Sequence, residues 1–277
     1  MNLILIVNFR SKFRLNIARA VAAGCVKHGA VAKIIDLRSI KQDISREGLS
    51  QIEGTDAVCC WGWRWGEKFR QLGHNVLIME RGFLADRFAW ISLGWNGLNG
   101  RAKFPQCDDG GARWKQHFPQ LLLPWRSDLT GYALLMGQVP SDRAVKMINF
   151  ENWANATAIE LRLRGHDVRF RPHPKAPRFQ FPAPLVNGTL EQALSGASFA
   201  VTWNSNSGVD AVLSGTPAVT MDVGAMAWPV TSHDLVSPIT MPDRNAWANR
   251  MAYTQWLPLE IERGDAWEHL RSLLPVT

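Results

Sequence analysis

The chain has 277 residues, of which 46% are hydrophobic and 20% charged, enough for two domains of ordinary size. That composition excludes disorder as the main state, and no stretch reaches the ~18 uncharged apolar residues of a membrane-spanning helix. Thirty-one Lys and Arg against 24 Asp and Glu give a formal charge of +7, which favours anionic partners such as phosphates, nucleic acid or a lipid surface.

The opening LILIVNF has the length and continuous apolarity of a buried strand, and Ile17, Val21 and Cys25 follow at helical spacing up to Lys27. VAKIID, DAVCCW and NVLIME repeat the strand pattern, so a parallel α/β arrangement is the economical reading. The start MNLILIV is too short for a signal peptide and lacks its basic flank, and the chain is expected to be cytoplasmic. From Gly94 to Pro124 glycine and proline punctuation rises and periodicity fades, as in a functional loop or a linker.

The pattern then restarts. GYALLMG, DVRFRPHP, SFAVTWNS and TPAVTMD read as strands, with helices over about 152–163, LEQALSG and VDAVLSG, and a largely helical tail from Asn245 to Leu274. The fold class is therefore α/β, with two Rossmann-like domains facing a cleft, residues 1–125 and 126–277. Ligands in such sheets bind beyond the carboxyl ends of the strands. Cys25, Cys59, Cys60 and Cys107 form no CxxC pair and no zinc-finger spacing with histidine, so reduced, mostly buried thiols are expected and no metal site is indicated.

The strongest motif is TWNSNSGVDAVLSGTPAVTMD, residues 202–222. A strand ends at Thr202, the polar turn Asn204-Ser205-Asn206-Ser207-Gly208 follows, and a helix begins near Val209, which makes a cradle for an anion. An ordinary N-cap loop is the bland alternative, but it needs only one such residue. A second motif, FRPHPKAP, ends another strand, and its prolines restrict His173 to an extended turn from which the imidazole can donate to a phosphate or carry a proton. Arg169, Arg171, Lys175 and Arg178 add positive charge there, although a lone loop histidine is more often simply solvated. In CDDGG, residues 107–111, one of two adjacent carboxylates can serve as a general base, or the pair can only make a turn. GQVPSD follows a strand and offers Gly137, Gln138 and Asp142.

Thirteen tryptophans stand against two tyrosines, and indole faces suit sugars and bases as well as cores. In CCWGWRWG, an extended segment would put Trp61, Trp63 and Trp65 on one face with Arg64 opposite; packing against a neighbouring helix is the competing reading. WNGLNGR brings Arg101 on a similar loop.

In this order, Asp108-Asp109-Gly110, His173-Pro174 and Ser205 to Gly208 resemble the acidic, HP and Ser/Thr motifs of GT-B-type glycosyltransferases related to bacterial sialyltransferases and capsule-polysaccharide Kdo transferases. Asp210 and Gly215-Thr216-Pro217-Ala218 continue the similarity, which covers mainly residues 105–225, while Asn204 and Asn206 interrupt the Ser-Ser or Ser-Thr pair of that group. The resemblance implies a metal-independent transfer of a sugar from a nucleotide-sugar donor, with no further cofactor. Asp109 or Asp108 would be the base and His173 the phosphate partner or acid. Gly137, Gln138, Asp142, Arg171, Thr202, Asn204, Ser205, Asn206, Ser207, Gly208 and Asp210 would line the donor side in the C-terminal half. Trp61, Trp63, Arg64, Trp65 and Arg101 would line the acceptor side in the N-terminal half. The charge admits a hydroxymethylated pyrimidine of double-stranded DNA as acceptor, as in phage DNA-modifying glycosyltransferases, and equally a surface glycan; DNA is the expectation, with no stable membrane anchor. A nucleic-acid-binding protein without turnover and a sugar-nucleotide epimerase are the rivals.

Overall fold

The computed structural model describes residues 1–42, 51–176 and 183–274. In chain order it contains β1 (Asn2–Val7), α1 (Lys12–Lys27), β2 (Val31–Asp36), α2 (Leu37–Gln42), β3 (Ala57–Trp61), α3 (Trp63–Gln71), β4 (Asn75–Arg81) and β5 (Ile91–Trp95). Then come α4 (Ala112–His117), β6 (Tyr132–Met136), α5 (Phe150–Leu163), β7 (Val168–Arg171), α6 (Leu190–Ser195), β8 (Ala197–Thr202), α7 (Ser207–Leu213) and β9 (Ala218–Thr220). The chain closes with α8 (Asn245–Ala252), β10 (Gln255–Trp256), α9 (Pro258–Arg263) and α10 (Asp265–Leu270). None of the helices among the described residues is long and apolar enough to cross a membrane.

Two compact units result: Met1–Asp109 with Arg250–Thr277, and Gly110–Asn249. The division therefore falls sixteen residues before the break expected at 125/126, and the tail expected in the second domain belongs to the first unit. The reason is burial of its aromatics: Trp256 and Trp267 join Leu3, Leu5, Val7 and Trp95 in one core cluster. Polar bonds fix the same return. The Trp95 indole N–H donates to the Leu270 carbonyl (3.0 Å), and the buried Gln255 Oε1 accepts from the N–H groups of Phe83 and Leu84 (2.6 and 2.9 Å).

The sheet of the first unit has the order β10-β5-β4-β3-β1-β2. Successive strand residues point to opposite faces, and both faces of β1 are buried: Leu3, Leu5 and Val7 in the cluster with α1 and the tail, Ile4 and Ile6 in a second one with Ile40 and Phe69. That is why the sequence reads as an unbroken apolar run. The expectation of an all-parallel sheet needs correction here, because β5 pairs antiparallel with β4 and β10 antiparallel with β5. VAKIID is an edge strand with Val31 and Lys33 exposed and only Ile35 buried, rather than a buried strand. The sheet of the second unit, order β7-β6-β8-β9, is wholly parallel.

Cys25, Cys59 and Cys60 are buried free thiols, and burial pushes the Cys25 thiol up to about 12, so these groups stay protonated packing residues.

Candidate functional site

In the second unit, registers Met136↔Arg171 and Thr202↔Thr220 align the strand ends along one carboxyl edge. Gly137, His173, Asn204 and Asp222 all follow these ends directly. β6 is central, and the two residues after it tie its neighbours together. The Gly137 N–H donates to the Arg171 carbonyl (2.8 Å), and a Cβ at 137 would meet the His173 nitrogen at 3.0 Å and the Phe170 ring at 2.8 Å. Only glycine lets the His173 turn approach this closely.

Gln138 reaches the other neighbour. Its Nε2 donates to Asn204 Oδ1 (2.8 Å), and its Oε1 accepts from the Asn204 N–H (3.0 Å) and the Thr202 hydroxyl (3.3 Å). Asn204 Nδ2 in turn donates to the Ala144 carbonyl (2.8 Å) and to Asp222 Oδ2 (2.7 Å). Gln138, Asn204 and Thr202 are 7%, 3% and 0% exposed. These three polar side chains, read from the sequence as donor contacts, therefore spend their hydrogen bonds building the loop. The Asp222 carboxylate, missed by the sequence reading, belongs to the same network.

Around it are groups left at the surface of the turn. Ser205 Oγ accepts from the Ser207 N–H (3.2 Å) and hydroxyl (2.8 Å), which leaves the Ser205 hydroxyl its own proton to donate. Ser205, Asn206, Ser207 and Asp210 are half-buried, and Gly208 is buried in the first turn of α7. His173 Nδ1 accepts the Lys175 N–H (3.1 Å), so the neutral ring carries its proton on Nε2. The His173 carbonyl also accepts the Ala176 N–H (2.9 Å), which closes the turn that follows it. Burial first, then the positive Lys175 and Arg171, hold the imidazole below its ordinary value of 6.5, with Asp142 pulling the other way. Asp142 itself caps the turn at Arg143–Val145 by accepting the Ala144 N–H (2.9 Å). Arg178 lies outside the described residues.

In the first unit, Asp108 is exposed and Asp109 half-buried, and Asp109 Oδ2 accepts from the Tyr253 hydroxyl (2.9 Å). Behind it, Cys107 Sγ lies 3.1 Å from His269 Nδ1, and the Tyr253 ring meets His269 edge to face at 5.1 Å. Tyr253 and His269 come from the returning tail, and the sequence reading found neither. The only signal was that Tyr253 is one of two tyrosines.

The tryptophan expectation fails for a backbone reason. Gly62, at φ +81, turns the chain after β3, and Trp63 and Trp65 enter α3. Trp61 packs against the core cluster on one face of the sheet, Trp63 and Trp65 against the cluster on the other. Arg64 is exposed on α3. Arg101 closes a 3-10 turn after β5, and because β5 runs antiparallel, that turn lies at the amino edge of the parallel strands, opposite to Trp61. The five residues are thus not one surface.

What the carboxyl edge of the first unit does present was not foreseen. Arg81, at the end of β4, lies 3.8 Å over the Phe13 ring, 5.0 Å over Phe88 and 5.8 Å over Trp61, and Arg14 lies 5.4 Å over Trp61. Phe13 meets Trp61 edge to face at 5.5 Å.

The sequence matches no protein-family model and no curated protein at a significant level. Solved structures do match. The beta Kdo 2,7 transferase of Thermosulfurimonas dismutans KpsC is 16% identical, with a TM-score of 0.59 over 89% of this chain and 89% of that one. The beta Kdo 2,4 transferase of the same KpsC is 14% identical, with a TM-score of 0.54 over 91% of each chain. The chain therefore shares the two-part α/β fold of GT-B glycosyltransferases.

Proposed function

We propose that this protein is a metal-independent glycosyltransferase that moves a sugar from a nucleotide-sugar donor to a hydroxyl acceptor, with the donor phosphate on the second unit and the acceptor on the first. The observation that carries the reading is the carboxyl edge of the second sheet, where Gly137 and Gln138 bind the His173 turn and the Asn204–Ser207 turn to one another. A rigid edge of hydroxyls, backbone N–H groups and a neutral imidazole suits a phosphate whose charge grows as the bond breaks.

In the step, the acceptor hydroxyl loses its proton to Asp109 or Asp108 as its oxygen bonds the anomeric carbon. The bond from that carbon to the phosphate oxygen breaks and the nucleotide leaves. Negative charge built on the phosphate is met by the Ser205 hydroxyl, which the Ser207 hydroxyl supports by donating to it, by Arg171 and by the His173 Nε2–H. Tyr253 is a positioning residue that holds the Asp109 carboxyl in place. For the acceptor we favour a hydroxymethylated pyrimidine of DNA over a surface glycan, since the cationic excess falls on the first unit, nineteen Lys and Arg against fourteen Asp and Glu, with twelve against ten in the second.

Release of nucleotide from a panel of nucleotide sugars, with hydroxymethylated DNA or oligosaccharide supplied, tests the reading. Acceptor-dependent release supports it. Change of the sugar nucleotide with no acceptor present makes the protein an epimerase instead.

A further inference from the structure

The Arg81 cluster answers to no role given above. Three rings, Phe13, Trp61 and Phe88, surround one guanidinium at 3.8 to 5.8 Å. They come from the first turn of α1, the end of β3 and the loop after β4, so three successive carboxyl-end segments converge on it. Arg81 donates one N–H to the Phe88 carbonyl (2.8 Å), which orients the fork. Among the described residues neither Arg81 nor Arg14 has an ion-pair partner. The carboxylate of the same loop, Asp86, accepts the Phe88 N–H (2.9 Å).

An arginine stacked on rings is ordinary packing when its charge is neutralised and its rings are covered. Here neither holds. Phe88, in the loop after β4, is 71% exposed and Phe13, in the first turn of α1, 36% exposed. Phe9 and Arg10, in the turn leading into α1, are exposed on the same edge. α1 itself holds Lys12, Arg14, Arg19 and Lys27 and no acid. Exposed flat rings beside unneutralised guanidiniums match a ligand that alternates a flat ring with a negative charge at short intervals.

We propose that the Arg81–Phe88 edge binds a nucleic-acid strand with unstacked bases, bases against Phe88 and Phe13 and phosphates on Arg81 and Arg14. The proposal rests on the transferase reading only in naming that enzyme's acceptor. A strand rather than an intact duplex is specified because a ring can stack only on a base face that its neighbours have left.

Fluorescence anisotropy of labelled single-stranded DNA, duplex DNA and an anionic oligosaccharide, with the full chain, tests it. Single-stranded DNA binds tightest, and two phosphate contacts weaken it at least about sevenfold between about 50 and about 200 mM salt. Phe88→Ala, at an exposed site where folding is not at risk, lowers affinity roughly tenfold. Arg81→Gln lowers it too and flattens the logarithmic salt slope by about 0.7. Binding unchanged in both variants, or oligosaccharide binding in preference to DNA, overturns the proposal. Titration of the same protein with nucleoside diphosphates separates the two readings. Nucleotide binding without DNA binding overturns this proposal and leaves the transferase standing, whereas DNA binding without nucleotide binding does the reverse.

Discussion

The two sheets end in opposite chemistries at their carboxyl edges. In the second unit the edge is built from polar residues whose side chains are buried and bonded to one another: Gln138 to Thr202 and Asn204, and Asn204 to Asp222. In the first unit Arg81 and Arg14 lie among partly exposed rings and have no ion pair among the described residues, while at the end of β2 Arg38 pairs with Asp36. The contrast teaches what each edge is suited to. A buried, bonded network fixes a few donors to within a narrow geometry, as a developing phosphate charge requires. A cluster of stacked cations accepts many orientations of a flat anionic ligand and gives affinity rather than geometry.

The largest effects separate chemistry from recognition. Asp109→Asn and His173→Ala are each expected to lower the rate of nucleotide release at least about a hundredfold while circular dichroism stays native. Near-normal rates in both variants remove the catalytic assignment. Tyr253→Phe, which frees the Asp109 carboxyl from its 2.9 Å partner, should lower kcat roughly tenfold with KM little changed, as loss of one charged hydrogen bond worth about 1.5 kcal/mol implies. An equal rise in KM would point to a binding role instead.

Next comes stability. Asn204→Ala strands the buried Gln138 and half-buried partners at Ala144 and Asp222 and should cost about 1–3 kcal/mol in urea unfolding, whereas Phe88→Ala, on the other edge, should stay within about 0.5 kcal/mol of the parent. Equal costs at the two sites would erase the contrast between a bonded and an open edge.

The smallest effect is the pH response of His173. Its folded value lies below the ordinary 6.5, so below about pH 6.5 the unfolded chain takes up the proton first. Stability from this group is full above that pH and falls as pH drops through it toward the folded value. The charged ring also loses the Nδ1 acceptor bond from Lys175. An imidazole titration followed by NMR is expected to give a midpoint under 6.5, and one above it would mean that the ring is held by a carboxylate instead.

Much of this architecture is legible in the sequence because parallel strands buried on both faces write themselves as apolar runs, as LILIV, AVCCW and YALLM do. The strand-end motifs of the second unit are legible for the same reason, since a turn after such a run must lie at the carboxyl edge. What escapes is whatever depends on distant partners. Nothing local marks β5 as antiparallel, and with it Arg101 moves to the wrong edge. The Trp61, Trp63 and Trp65 spacing looked like a strand face until the positive φ of Gly62 broke it. Tyr253 meets Asp109 across 144 residues of chain, and the Gln138–Asn204 bond spans 66. In the latter case the residue types were found, but their burial reversed the part they play, from touching a ligand to holding the loop that would.

The central claim is that the hydrogen-bonded edge of the second unit holds the donor phosphate. Calorimetric titration with uridine, cytidine, guanosine and thymidine diphosphates, on the parent and on Ser205→Ala/Ser207→Ala, tests it most directly. One nucleotide binding the parent, and binding the double variant at least about tenfold more weakly for the lost hydroxyl bonds, is the predicted result. No binding by the parent, or equal binding by both proteins, contradicts the account.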